Sequence, residues 1–222
     1  KPTLMSQEQK IIIGISIGDL NGIGSEIILK TFLDPRMFDF CIPVVFASHK
    51  SMQYLKKHFN LGTQTYRIND LANVVEKKLN ILNVWNEPFD FEFGKETKKA
   101  GDLAIASLRA ATEALKTQQI DALVTAPINK SNVQSENFKF PGHTDFIARE
   151  LGGSALMFMV SDTLKVGLLT DHVAVKDVSA TITPELVREK VSLVYESLKQ
   201  DFRVNKPKIA VLGGLMMGVD NI

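Results

Sequence analysis

Four short segments carry side chains that could do chemistry. The first is Gly18-Asp19-Leu20-Asn21-Gly22-Ile23-Gly24-Ser25-Glu26. Its three glycines would let backbone approach a ligand, and a helix starting there would offer free N–H groups and a positive dipole end to an anion. The G-x-x-x-G-x-G spacing fits neither the dinucleotide fingerprint nor the phosphate loop ending in Gly-Lys-Ser/Thr, and a ligand-free strand-to-helix turn would use the same glycines. The second is Pro141-Gly142-His143-Thr144-Asp145. A Pro-Gly turn precedes a helical pattern, so His143 and Thr144 stand at a helix start and could both grip an anionic substrate. They read equally well as a Thr144 cap beside a surface histidine. In the third, Thr125-Ala126-Pro127-Ile128-Asn129-Lys130, the lysine could pair a phosphate or carboxylate or act as a base, although most lysines are simply solvated. The fourth is Thr170-Asp171-His172. Imidazole is the commonest metal ligand, but one histidine is not a site. His49 and His58 flank Lys50, Lys56 and Lys57 on a surface-helix pattern and receive no role.

The elements around these segments follow from periodicity. Residues 11–17 are β-branched and read as a buried strand, followed by a helix over 23–32 that Asp34-Pro35 ends. A strand over 43–47 precedes a helix over 51–59, and 79–84 is another apolar run. The strongest helical pattern is 100–118, where Leu103, Ala106, Ala110, Ala114 and Leu115 recur at helical spacing. Strands are expected at 120–125, at 156–160 and 165–169 with a turn at Ser161-Asp162-Thr163, and at 208–212. Thr183-Pro184-Glu185 opens a helix running to about 202 as cap, first-turn proline and acidic first turn. Residues 95–99 read as a solvated helix start and 131–139 as an exposed loop or domain junction. Strands alternating with helices predict an α/β fold with a mostly parallel sheet covered on both faces. Ligands in such sheets bind at the carboxyl ends of the strands, where three of the four segments fall.

Composition removes several classes. The 222 residues suit one large domain or two small ones, and 45% hydrophobic with 23% charged residues is ordinary for a globular chain. Lys plus Arg is 26 against 25 Asp plus Glu, so no general pull on nucleic acid or anionic lipid is expected. The single cysteine, Cys41, excludes a disulfide framework and a Cys-based zinc cluster within the chain. No apolar run approaches the ~20 residues of a membrane span, and residues 1–10 lack the apolar core of a secretory signal, so a cytoplasmic protein is expected. Neither G-x-S-x-G nor H-E-x-x-H occurs, which argues against serine hydrolase and zincin chemistry.

In this order the four segments resemble the 4-hydroxythreonine-4-phosphate dehydrogenase family of vitamin B6 biosynthesis. The family carries Gly-Asp-Pro-Ala-Gly-Ile-Gly-Pro-Glu where residues 18–26 read GDLNGIGSE, a VTAPINK segment unchanged at 124–130, PGHTE where 141–145 read PGHTD, and TTH where 170–172 read TDH. The resemblance covers nearly all of residues 11–212. It implies the isocitrate/isopropylmalate dehydrogenase-like fold, with two α/β/α lobes around a cleft and no sharp boundary between them, and a homodimer with active sites near the subunit interface. It implies oxidation of the C3 hydroxyl of 4-phosphooxy-L-threonine with NAD or NADP, then loss of CO2 to give 3-amino-2-oxopropyl phosphate. A divalent metal (Zn, Mg or Co) held by three histidines would assist. By the same resemblance His143 and Thr144 bind substrate and His172 is the first metal ligand. A role for Lys130 as phosphate or carboxylate partner is a separate hypothesis.

The departures set further expectations. Two prolines and an alanine of the first motif are Leu20, Ser25 and Asn21 here, a change of loop stiffness that removes no functional group. After about residue 212 the family's Leu-Asn-Pro-His-Ala-Gly segment has no counterpart, and no histidine follows His172. Family chains are substantially longer. The expectation is therefore that these residues are a subset of a longer protein; a truly truncated chain could not assemble the metal site. Three alternatives stand beside the main reading: a paralogue oxidising 4-phospho-D-threonate or erythronate, a non-catalytic phosphometabolite-binding domain, and a related-fold acyltransferase.

Overall fold

Three isoleucines surround Gly14 in residues 12–16, with no charge and no proline among them, and such a run needs partners on both edges and cover on both faces. The fold supplies both in a computed structural model that describes residues 10–134, 142–171 and 173–212. The chain divides into two compact units, Lys1–Gly153 and Ser154–Ile222. The first runs β1 (Ile12–Ser16), α1 (Gly24–Thr31), α2 (Met37–Phe40), β2 (Ile42–Ala47), α3 (His49–His58), β3 (Thr65–Ile68), β4 (Leu79–Asn83), α4 (Lys98–Lys116), β5 (Ala122–Thr125) and α5 (His143–Leu151). Its five strands form one parallel sheet in the order β3-β4-β2-β1-β5.

Side-chain alternation distributes the core. Ile15 and Ile17 point into a cluster with Leu29 of α1 and Met52 and Leu55 of α3, while Phe46 and Ile120 pack with Ala111 of α4 on the other face. Gly14 faces α4, and a Cβ there would meet Phe46 and Ile120, so the absence of a side chain lets this layer close. α4 approaches through Ala100, Gly101, Ala104 and Ser107, all buried. The Ser107 hydroxyl donates to Phe46 O at 2.5 Å and accepts from Ile17 N at 2.9 Å, satisfying backbone just where β1 leaves the sheet.

The second unit holds an antiparallel hairpin of β6 (Phe158–Val160) and β7 (Lys165–Gly167), then α6 (Val178–Thr181) and α7 (Pro184–Gln200). Thr183 caps α7 as its sequence predicts, its hydroxyl accepting from Leu186 N at 3.2 Å. The strand expected at 208–212 is not one: the residues have no ladder partner among the described residues, and Leu212 is 90% exposed. An apolar run becomes a strand only where a neighbour takes its N–H and C=O groups. Among the described residues no helix is long and apolar enough to cross a membrane.

Candidate active site

The chain leaves β1 toward β2 on one edge and returns to β5 on the other, so the sheet changes direction between β1 and β5. The loops after these two strands therefore flank the crevice where open α/β sheets bind ligands. They are locked together. Asp19 N donates to Pro127 O at 2.9 Å, and Ala126 N donates to Ser16 O at 3.0 Å. Gly18 has φ +71°, and a Cβ there would run into the Pro127 carbonyl. A side chain at this position would be strained and would push the loops apart.

The departures Leu20 and Asn21 are structural. Leu20 is fully buried in the core cluster beside Ile17 and Leu29. Asn21, also buried, is a hub: its Nδ2 donates to Lys95 O at 3.1 Å and Thr97 Oγ1 at 3.2 Å, and its Oδ1 accepts from Glu92 N at 2.9 Å. The glycine loop is thereby fastened to the residues that start α4, where Thr97 is the cap. No side chain caps α1, but Glu26 occupies its first turn, paired with Lys30 at 2.6 Å. A carboxylate there competes with any anion for the helix dipole.

The loop after β5 carries a cation. Lys130 is exposed and makes no ion pair among the described residues. His143 is half-buried as the first residue of α5, which docks on α4 through Phe146 against Ala104 and Leu108. Burial first, and then the nearby Lys130 ammonium, holds His143 below the ordinary histidine range. The two motifs thus lie close enough for the Lys130 charge to act on His143. Among the described residues His143 Nε2 is buried without a hydrogen-bond partner, and the lowered proton affinity favours the neutral imidazole. The α5 cap is Gly142, with no side-chain bond, so Thr144 does not cap the helix and its exposed hydroxyl is left for other use.

His172 and Pro141 lie outside the described residues; Thr170 and Asp171 belong to the second unit. Among the described residues no three His, Cys, Asp or Glu side chains gather as a cation site. The other two histidines are otherwise engaged. His49 Nε2 lies 3.1 Å from Gln53 Nε2, and the His58 ring stacks on Phe93 at 4.6 Å. The one metal histidine that the resemblance assigns here, His172, is thus not among these described side chains. Sequence reasoning gave no bracing role to Asn21, Glu96 or Asn129, because the burial of Asn21 and the Glu96–Asn129 bond exist only in the fold.

Comparison with known proteins gives a consistent result. The profile of the family described as "Pyridoxal phosphate biosynthetic protein PdxA" matches residues 39–214. A 4-hydroxythreonine-4-phosphate dehydrogenase of Bacteroides thetaiotaomicron is 40% identical over 208 residues, covering 93% of this chain and 57% of that protein. One from Sulfurihydrogenibium is 33% identical over 204 residues, covering 90% and 62%. The crystal structure of a 4-hydroxythreonine-4-phosphate dehydrogenase from Burkholderia phymatum superposes with a TM-score of 0.83 at 27% identity, over 93% of this chain and 63% of that one. The chain thus spans under two thirds of the length of these relatives, and its architecture is that of their isocitrate/isopropylmalate dehydrogenase-like fold.

Proposed function

Because the chain belongs to the PdxA family, we propose that it is the part of a 4-hydroxythreonine-4-phosphate dehydrogenase that grips the phosphorylated hydroxy-amino acid, in pyridoxal phosphate biosynthesis. The observation that carries this reading is the exposed Lys130, in no ion pair among the described residues, in the loop at the carboxyl end of β5. Lys130 pairs with the phosphate or carboxylate of the substrate, and an ammonium with no internal carboxylate partner does so at no cost of breaking an ion pair. The half-buried His143 ring borders the bound substrate, and Thr144 adds an exposed hydroxyl beside it. Holding two charged substrate groups fixes the C3–H bond in the orientation from which hydride leaves, while the C3 hydroxyl proton passes to a base. Bound NAD or NADP supplies the hydride acceptor. The β-keto acid so formed loses CO2 readily because the electrons move into the adjacent carbonyl. The three-histidine ion that the family resemblance implies is not met by the described side chains, and no step here passes through it. The protein acts as a homodimer in this reading.

The test is NADH formation by the purified protein on 4-phosphooxy-L-threonine, with 4-phospho-D-threonate in parallel and divalent metal supplied. Turnover of the first substrate with a Lys130→Ala variant raised in KM by tenfold or more is the expected outcome, since a charge-assisted contact contributes about 1.5–3 kcal/mol. Turnover of the threonate alone would move the protein to the paralogue. Silence on both would leave a binding module.

A further inference from the structure

We propose that Glu96 is a positioning residue of this site: through its hydrogen bond to Asn129 it fixes the turn that presents Lys130. The inference rests on the substrate-gripping role of Lys130 given above. Asn129 uses both ends of its amide. Its Oδ1 accepts from Ser131 N at 2.8 Å and Asn132 N at 3.4 Å, closing the turn around Lys130. Its Nδ2 donates to Glu96 Oε1 at 2.7 Å, tying that turn to the start of α4. The chain beyond is pinned as well, with Val133 buried against Ala104, Leu108 and Phe146. Lys130 therefore sits between a side-chain tie and a core anchor.

Glu96 is itself held. Asn21 Nδ2 binds Lys95 O on one side of it and Thr97 Oγ1 on the other. The backbone at Glu96 thus belongs to the same brace that fastens the glycine loop, and the carboxylate extends that brace to the second loop. Among the described residues this is the side-chain bond that joins the start of α4 to the Lys130 turn. Glu96 takes Asn129 and not Lys130 as partner, which leaves the ammonium free for substrate.

The test compares Glu96→Ala with Glu96→Gln. The glutamine keeps an acceptor oxygen for Asn129 and loses only the charge; the alanine loses both. Steady-state KM on 4-phosphooxy-L-threonine and the NMR titration of His143 are read in each. The charged residues on α5 and on the α4 segment it packs against are Asp145, Arg149, Glu150, Lys98, Lys99, Asp102, Arg109, Glu113 and Lys116, all unchanged in these variants, and Lys130 is the charge that lowers the proton affinity of His143. The two mechanisms oppose in sign. Deleting a negative charge alone lowers the proton affinity of His143, whereas a Lys130 freed from its turn moves away and lets it rise toward the ordinary histidine range. The expected result is a KM raised about tenfold and a raised His143 titration in Glu96→Ala, with Glu96→Gln within about twofold of the parent and no rise in His143. Equal behaviour of the two variants, or a His143 titration that falls in Glu96→Ala, overturns the proposal. If the parent protein turns over neither phosphorylated substrate, the functional reading fails while the titration still decides whether Glu96 places Lys130.

Discussion

His143 shows how a single residue joins fold to chemistry. Its ring is half-buried by the packing that seats α5 on α4, and its proton affinity is lowered by that burial and by Lys130. His49 is lowered too, by burial and then by Arg67 and Lys56. A group whose folded-state proton affinity lies below its unfolded value leaves the folded chain less protonated than the unfolded one as pH falls. Stability is therefore whole above the ordinary histidine range and is lost as pH drops through it. The melting temperature should fall between about pH 7.5 and about pH 5.5. A His143→Gln variant should flatten part of that fall and leave the part due to His49. A variant with the parental pH dependence would show that folding leaves the proton affinity of His143 unchanged. At this scale the sequence was legible for His143 and Lys130 as separate candidates. The effect of one on the other was not, because it depends on where α5 docks. Asn21 was read as a change of loop stiffness, and its buried position turns it into a three-bond brace.

Among the elements, α4 is the one whose sequence and role agree most fully. Its alanine-rich face was legible as a long helix, and the observed Lys98–Lys116 lies within two residues of that reading at each end. What periodicity could not reveal is why Gly101 interrupts the small-residue stripe. A Cβ there would overlap the Asn132 carbonyl oxygen and come within 2.6 Å of its carbon, so the loop carrying Lys130 rests directly on the helix. Helix propensity alone says that Gly101→Ala stabilises by about 1 kcal/mol. Overlap with backbone that cannot rotate away outweighs this. The expected outcome is a lowered melting temperature together with a raised KM, measured on the same preparation; a more stable and fully active variant would sever the link between α4 and the loop. Strand β3 escaped sequence reading for a related reason. It is a short edge strand with Tyr66 and Arg67 exposed, so it carries little apolar signal. The run at 208–212 carried that signal and lacks the partner, which is the converse case.

For the whole molecule the question is what covers the hairpin of the second unit. Phe158 stacks on Phe202 at 5.8 Å, and a Cβ at Gly167 would meet Val194, so one side of β6–β7 packs against its own unit. The cross-strand pair Met159 and Val166 points the other way, 56% and 40% exposed. An isolated two-stranded hairpin is marginal in water, and an apolar pair on its outer face adds a further cost unless something covers it. The homodimer proposed for this protein supplies a second copy of the chain for that purpose. Light scattering should then give twice the chain mass for the parent protein, and Val166→Lys should shift it to the single-chain mass with an unchanged far-ultraviolet spectrum. The lysine would place an ammonium in an apolar contact, which costs several kcal/mol if the contact is dry, and nothing if the face is in water. A dimer that survives this substitution would assign the interface to another surface and leave the Met159–Val166 pair to solvent.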